Sequence, residues 1–113
     1  MSETLYEKRK LTSFDKSYST EVYIKNPDKY RQLEKDTLEA DSLITRGGGY
    51  SYVAASFKNK SLSIEMKNFN RILHFDKEKK LIKVESGTTI IELLNFTMKF
   101  GLWIPQIPGY PFI

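Results

Sequence analysis

Apolar and polar positions alternate in short bursts along this chain, and each burst predicts an element. In EVYIK (residues 21–25) Val22 and Ile24 alternate with polar neighbours, which predicts a strand. Asn26-Pro27-Asp28 follows, with an Asn cap, a proline suited to the first helical position and an acid for the first turn. A helix is expected from there to about Ala40, with Tyr30, Leu33 and Thr37 on one face. SLIT (42–45) is a short apolar strand, and SLSIEM (61–66) alternates Leu62, Ile64 and Met66 inward as another. RILHF (71–75) and LIKVE (81–85) flank Asp76-Lys77-Glu78-Lys79-Lys80, which predicts a hairpin with a charged turn. Gly87 ends that pattern, and Thr89 with Glu92 has the spacing of a capping box. In the helix that follows, Ile90, Leu93, Leu94 and Thr97 face one side, Glu92, Asn95 and Lys99 the other, and Gly101 stops it. A last strand is expected in LWIPQIPGYPFI. The order β-α-β-loop-β-β-β-α-β is that of an α+β (α/β-like) layered fold. Residues 1–20 carry no such pattern and are read as an N-terminal extension to a domain at 21–113.

Composition narrows the chemistry. With 113 residues, 40% hydrophobic and 28% charged, the chain has the make-up of one soluble globular domain. It has no apolar stretch near the roughly 18 residues that cross a bilayer, and MSETLYEKRKL has no signal-peptide core. These features predict a cytoplasmic location. Zero cysteines exclude disulfides, thiolate metal sites and cysteine nucleophiles, and a single histidine, His74, supports no histidine-based metal site. No metal is expected. The net charge of +4 gathers at Lys8-Arg9-Lys10 and at 77–80. Both clusters read as solvated surface, and the aromatics are scattered rather than interleaved with a basic stripe, which disfavours nucleic acid.

The chemistry concentrates in ITRGGGYSYVAAS (44–56), where three of the six glycines stand together directly after a predicted strand. Glycine costs more backbone entropy than any other residue. Such a run implies either positive φ or the approach of something closer than a Cβ permits. Successive backbone N–H groups free of side chains can converge on an anion; a plain tight connection is the alternative. The segment is not a P-loop, because no lysine follows until Lys58, and not a dinucleotide fingerprint, because Tyr52 stands where the third glycine belongs.

Thr45-Arg46-Gly47-Gly48-Gly49-Tyr50-Ser51-Tyr52 resembles the pyrophosphate loop of FAD-linked oxidases of the vanillyl-alcohol-oxidase, or PCMH-type, superfamily. The likeness continues in order and spacing through SIEMKNFNRI (63–72), VESGTT (84–89) with Glu92-Leu93-Leu94, and GLWIPQIPG (101–109). The last of these is similar to a segment of the decaprenylphosphoryl-ribose 2-oxidase-like subgroup. The resemblance implies the N-terminal lobe of a PCMH-type FAD-binding domain. Thr45, Arg46, Gly47, Gly48, Gly49, Tyr50, Ser51 and Tyr52 would hold the FAD pyrophosphate, and Pro108 and Gly109 would belong to a second loop passing close to the cofactor.

The departures from the family pattern are equally informative. Tyr50 stands where many relatives carry the histidine that bonds covalently to the flavin, so non-covalent FAD is expected. Val53-Ala54 replaces a frequent Gly-Asp. Ile113 comes where the family continues into a second flavin loop, so the chain reads as an incomplete half of the domain without the substrate domain. Its partners would then be the remaining domains, a second chain or a copy of itself. As part of a complete enzyme, with possible membrane association, it would serve the oxidation of a sugar-type CH–OH donor such as a polyprenylphosphoryl ribose or an aldonolactone. No carboxylate pair suggests a general base, and no catalytic residue is assigned. The alternative reading is a small non-enzymatic α/β module that binds nucleic acid or a phosphorylated partner.

Overall fold

The computed structural model describes residues 6–51, 55–109 and Ile113, which fall into two units, Met1–Asn68 and Phe69–Ile113. In the first unit a four-stranded sheet is built from β1 (Tyr6–Thr12), β2 (Ser19–Lys25), β3 (Leu43–Arg46) and β4 (Leu62–Glu65), in the order β1-β2-β4-β3. β1 and β2 form an antiparallel hairpin, while β4 pairs parallel with both β2 and β3. The hairpin turn is held by Asp15, whose Oδ1 accepts from the Ser13 hydroxyl at 2.7 Å and the Ser17 N–H at 3.0 Å, with Lys16 at φ 62°.

Residues 6–12, within the stretch read as an extension, are thus a strand of the sheet. Their sequence hides it: of the seven positions only Leu11 is buried, so an edge strand rich in charge shows no inward alternation. Leu11 joins Val22, Ile24 and Phe57 in the core. β4 lies centrally, so Ser63 and Glu65 are buried along with Ile64, and the expected alternation gives way to burial on both faces.

Helix α1 spans Tyr30–Glu39 and starts later than Asn26-Pro27-Asp28 predicts. Its cap is Lys29, with no side-chain cap bond. The Asn26 side chain is used elsewhere: its Oδ1 accepts from Asn68 Nδ2 at 2.9 Å, and Pro27 is fully buried. A tertiary tether has displaced the local capping signal. The expected Tyr30–Leu33–Thr37 face is not the buried one either. Tyr30 and Thr37 are exposed, and the buried helix residue is Asp36, whose Oδ1 accepts from Lys25 Nζ at 2.8 Å.

The second unit follows its sequence closely. β5 (Ile72–Asp76) and β6 (Leu81–Val84) pair antiparallel around the charged turn, where Asp76 Oδ1 accepts from the Lys79 N–H at 2.9 Å and Lys80 takes φ 55°. The buried Glu85 accepts from the Arg71 backbone N–H at 2.9 Å and from Arg71 Nη2 at 2.7 Å, which closes the base of the hairpin. Helix α2 (Ile90–Thr97) has the full capping box at Thr89 and Glu92 and buries Leu94 and Thr97. A 3₁₀ turn at Met98–Phe100 ends at Gly101 in the left-handed region, φ 71°. Phe75 packs on Phe96 and Phe100 with ring centroids 5.2 and 4.8 Å apart. Between Leu102 and Gly109 no strand forms among the described residues, which corrects the expected last strand. Its three prolines, Pro105, Pro108 and Pro111, withhold the N–H donors a ladder needs.

Candidate functional site: the glycine loop after β3

β3 delivers the glycine run from the edge of the sheet. Its register pairs Ile44 with Ser63 and Arg46 with Glu65, so Arg46 ends the strand on the face that carries Ile44. The Arg46 carbonyl accepts the Met66 N–H at 3.0 Å, the last tie before the backbone leaves the sheet. Gly47 and Gly48 follow as exposed bends.

Arg46 decides the geometry of the loop. Its side chain turns back over the run, and Nη1 donates to the Ser56 hydroxyl at 2.7 Å, joining the two ends of the loop. Ser56 is held in turn, its carbonyl accepting from the buried Ser63 hydroxyl at 3.2 Å. The guanidinium then lies directly against Gly49. A Cβ built there would run into the Arg46 guanidinium, the free end of a flexible side chain, and Gly49 also has φ +76°. Both reasons that the glycine run raised therefore hold at one residue. Gly47 differs: a Cβ there would meet nothing within 4 Å, so its outer side is open.

Arg46 is the charge that the loop itself carries. Glu65, the register partner of Arg46, is engaged by Arg9 Nη1 at 3.3 Å and Lys67 Nζ at 3.4 Å. Among the described residues Arg46 itself meets the neutral Ser56 hydroxyl and no carboxylate. Past the glycines, Tyr50 packs edge-on to Phe14 with ring centroids 6.2 Å apart, and Ser51 is exposed. Thr45 is exposed at the strand end. Tyr52 lies outside the described residues, as do Val53 and Ala54. Pro108 and Gly109 belong to the second unit, both exposed, and a Cβ at Gly109 would meet nothing within 4 Å.

The structure thus gathers Thr45 to Ser51 into one loop and adds Ser56 and Phe14, which sequence reasoning missed. Neither carries a local signal, because each reaches the loop through a fold contact ten or more residues distant in the chain.

A family model described as an FAD binding domain matches residues 24–112, a span that contains the whole loop. The chain belongs to this FAD-binding family. Over 67 residues it is 34% identical to the decaprenylphosphoryl-beta-D-ribose oxidase of Mycolicibacterium smegmatis, covering 59% of this chain and 15% of that one. A solved structure of an alkyldihydroxyacetonephosphate synthase superposes with a TM-score of 0.62 at 21% identity, over 80% of this chain and 20% of that one. That likeness shows the fold, an α+β arrangement shared with FAD-binding domains of the PCMH type. The chain spans less than a quarter of either protein's length. FAD is the cofactor of the family, and among the described residues no helix is long and apolar enough to cross a membrane.

Proposed function

We propose that the loop from Thr45 to Tyr52 holds the pyrophosphate of FAD and that the complete flavoprotein oxidises a sugar-type CH–OH donor. The observation that carries this is the open glycine backbone backed by the Arg46 guanidinium. A run of side-chain-free backbone, an open side at Gly47 and the half-buried Arg46 guanidinium beside it make a surface suited to a dianion. In this reading the backbone of Gly47, Gly48 and Gly49 donates to the phosphates, Ser51 adds a hydroxyl donor, and Thr45 and Tyr50 flank the run. Arg46 raises the potential beneath it. Pro108 and Gly109 supply a second backbone approach to the cofactor, with the proline limiting the freedom of that turn. The flavin ring, when bound, supplies the hydride-accepting chemistry; these residues supply placement and electrostatics.

The donor class rests on the relative named above, an oxidase of decaprenylphosphoryl-beta-D-ribose. Because the chain spans 15% of that relative, the reacting-carbon pocket and its catalytic residues belong in this reading to further polypeptide. The exposed Trp103, Ile107 and Ile113 offer that polypeptide, or a second copy, an apolar surface; Tyr110 and Phe112 lie outside the described residues.

The loop assignment is tested by amide NMR of the 113-residue chain titrated with FAD. Saturable shifts should centre on Gly47 to Ser51 and vanish in Gly48→Val. Shifts absent up to millimolar FAD, or unchanged in that variant, would reject the loop as the pyrophosphate site.

A further inference from the structure

The glycine loop is closed by a contact that the glycines themselves do not supply. Ser56, ten residues after Arg46, accepts from Arg46 Nη1 at 2.7 Å. Ser56 is itself fixed from the other side. Its carbonyl accepts at 3.2 Å from the hydroxyl of Ser63, a fully buried residue of the central strand β4. The chain thus leaves the sheet at Arg46, whose carbonyl is tied to the Met66 N–H, and is tied back to it at Ser56.

Arginine has a long side chain with many rotamers, so a half-buried one at a strand end stays in place only if something holds it. Among the described residues, the Arg46 guanidinium lies against Gly49 and makes one hydrogen bond, to Ser56. The chemistry of that partner is decisive. A carboxylate would hold the guanidinium and offset its charge, whereas a neutral hydroxyl holds it and leaves the charge in place. Glu65, the carboxylate that the register sets beside Arg46, is engaged instead by Arg9 Nη1 at 3.3 Å and Lys67 Nζ at 3.4 Å. A guanidinium has five N–H donors, so donors remain for an anion at the loop.

We propose that Ser56 is a positioning residue of the anion-binding loop. Its hydroxyl holds the Arg46 guanidinium beside the glycines, charged and with donors to spare, before any phosphate arrives. The ligand then meets a charge already in place and does not have to order that side chain on binding. This rests on the reading of the loop as a pyrophosphate site, and it adds a residue from outside the glycine run.

Ser56→Ala removes the hydroxyl but keeps the carbonyl that accepts from Ser63, so the anchor on β4 survives. Two measurements on the 113-residue chain test the proposal. The first needs no ligand. NMR relaxation of the Arg46 Nε–H signal should show an ordered side chain in the parent and in Ser56→Thr, and a disordered one in Ser56→Ala. The second is titration with inorganic pyrophosphate at constant ionic strength, read from the amide signals of Gly47 to Ser51. Ser56→Ala should weaken binding about threefold to tenfold, the effect of one net hydrogen bond, and Ser56→Thr should restore it. In an Arg46→Met background Ser56→Ala should change nothing, because the hydroxyl then has no guanidinium to hold. An Arg46 side chain already disordered in the parent would overturn the proposal. So would equal or tighter binding by Ser56→Ala, the tighter case meaning that Ser56 competes with phosphate for the guanidinium. Weakening that persists in the Arg46→Met background would overturn it too, since Ser56 would then act through the fold. No saturable shift in the parent chain would overturn the loop reading and this proposal together, whereas the other failures leave that reading standing.

Discussion

At the scale of single residues, the glycine run separates into positions with different reasons to be glycine. Gly49 is needed by the fold through its φ of +76°, while the Arg46 guanidinium that a Cβ would meet is the end of a flexible side chain and can swing aside. Gly47 is not, since its side is open. Gly49→Ala should therefore lower stability by about 1–2 kcal/mol from the left-handed backbone. Gly47→Ala should leave urea or thermal unfolding almost unchanged while weakening FAD. Equal effects of the two substitutions on stability would refute the distinction. Ser51→Ala should cost FAD binding about 0.5–1.5 kcal/mol, or up to ~3 if the phosphate charge strengthens the bond, as calorimetry would show. A basic residue before the glycines is visible in the sequence. That its side chain folds back to Ser56 and lies against the third glycine is not, because the partner is supplied by the loop's far end.

At the scale of elements, the two helices show when a local signal prevails. α2 begins where its capping box says, because Thr89 and Glu92 satisfy each other's backbone groups without help: Thr89 N–H donates to Glu92 Oε2 at 2.8 Å and Glu92 N–H to Thr89 Oγ1 at 3.3 Å. Thr89→Ala should cost about 1 kcal/mol in chemical unfolding. The Thr89 N–H holds the Glu92 carboxyl below its ordinary value against the opposing effect of burial, with Asn70 and the Thr89 hydroxyl assisting. A depressed folded pKa means that this stabilisation is present in full above the unfolded value of about 4.3 and is lost as pH falls through the folded value. Stability measured from pH 6 down to 3 should fall less steeply in Glu92→Gln than in the parent chain; parallel curves would show that the carboxylate contributes nothing. α1, by contrast, loses its cap to Asn68 and is placed by the Lys25–Asp36 pair. Lys25→Ala leaves a carboxylate that is 2% exposed without its counter-ion, and should destabilise the first unit by about 3–5 kcal/mol. A loss under 1 kcal/mol in urea unfolding would mean that Asp36 finds another partner.

At the scale of the whole molecule, the question is how a flavoprotein built on this chain keeps its cofactor. Tyr50 stands in the glycine loop, and a phenol there offers no ready nucleophile to the flavin. His74 is an exposed residue of β5 in the other unit, and the chain has no cysteine. The flavin is therefore expected to be held without a covalent bond to these residues. Acid precipitation of the FAD-loaded complete protein should leave the yellow colour in the supernatant. Colour retained in the pellet would require an attachment elsewhere in the polypeptide.

The elements that the sequence determined by itself are those whose stabilising partners lie within a few residues: the hairpin around Asp76–Lys80, the capping box of α2, the Gly101 stop and the glycine run after β3. Their groups meet whatever the rest of the chain does. Tertiary structure alone decided the strand order β1-β2-β4-β3, the recruitment of the charged residues 6–12 as an edge strand, and the burial of Ser63 and Glu65 on a central strand. It also decided the diversion of Asn26 to Asn68 and the fold of Arg46 onto Gly49. The physical reason is common to all of these. Hydrophobic period and capping spacing report what a segment does with its own neighbours, whereas a polar side chain is committed by whichever distant group the packed sheet brings within hydrogen-bonding reach.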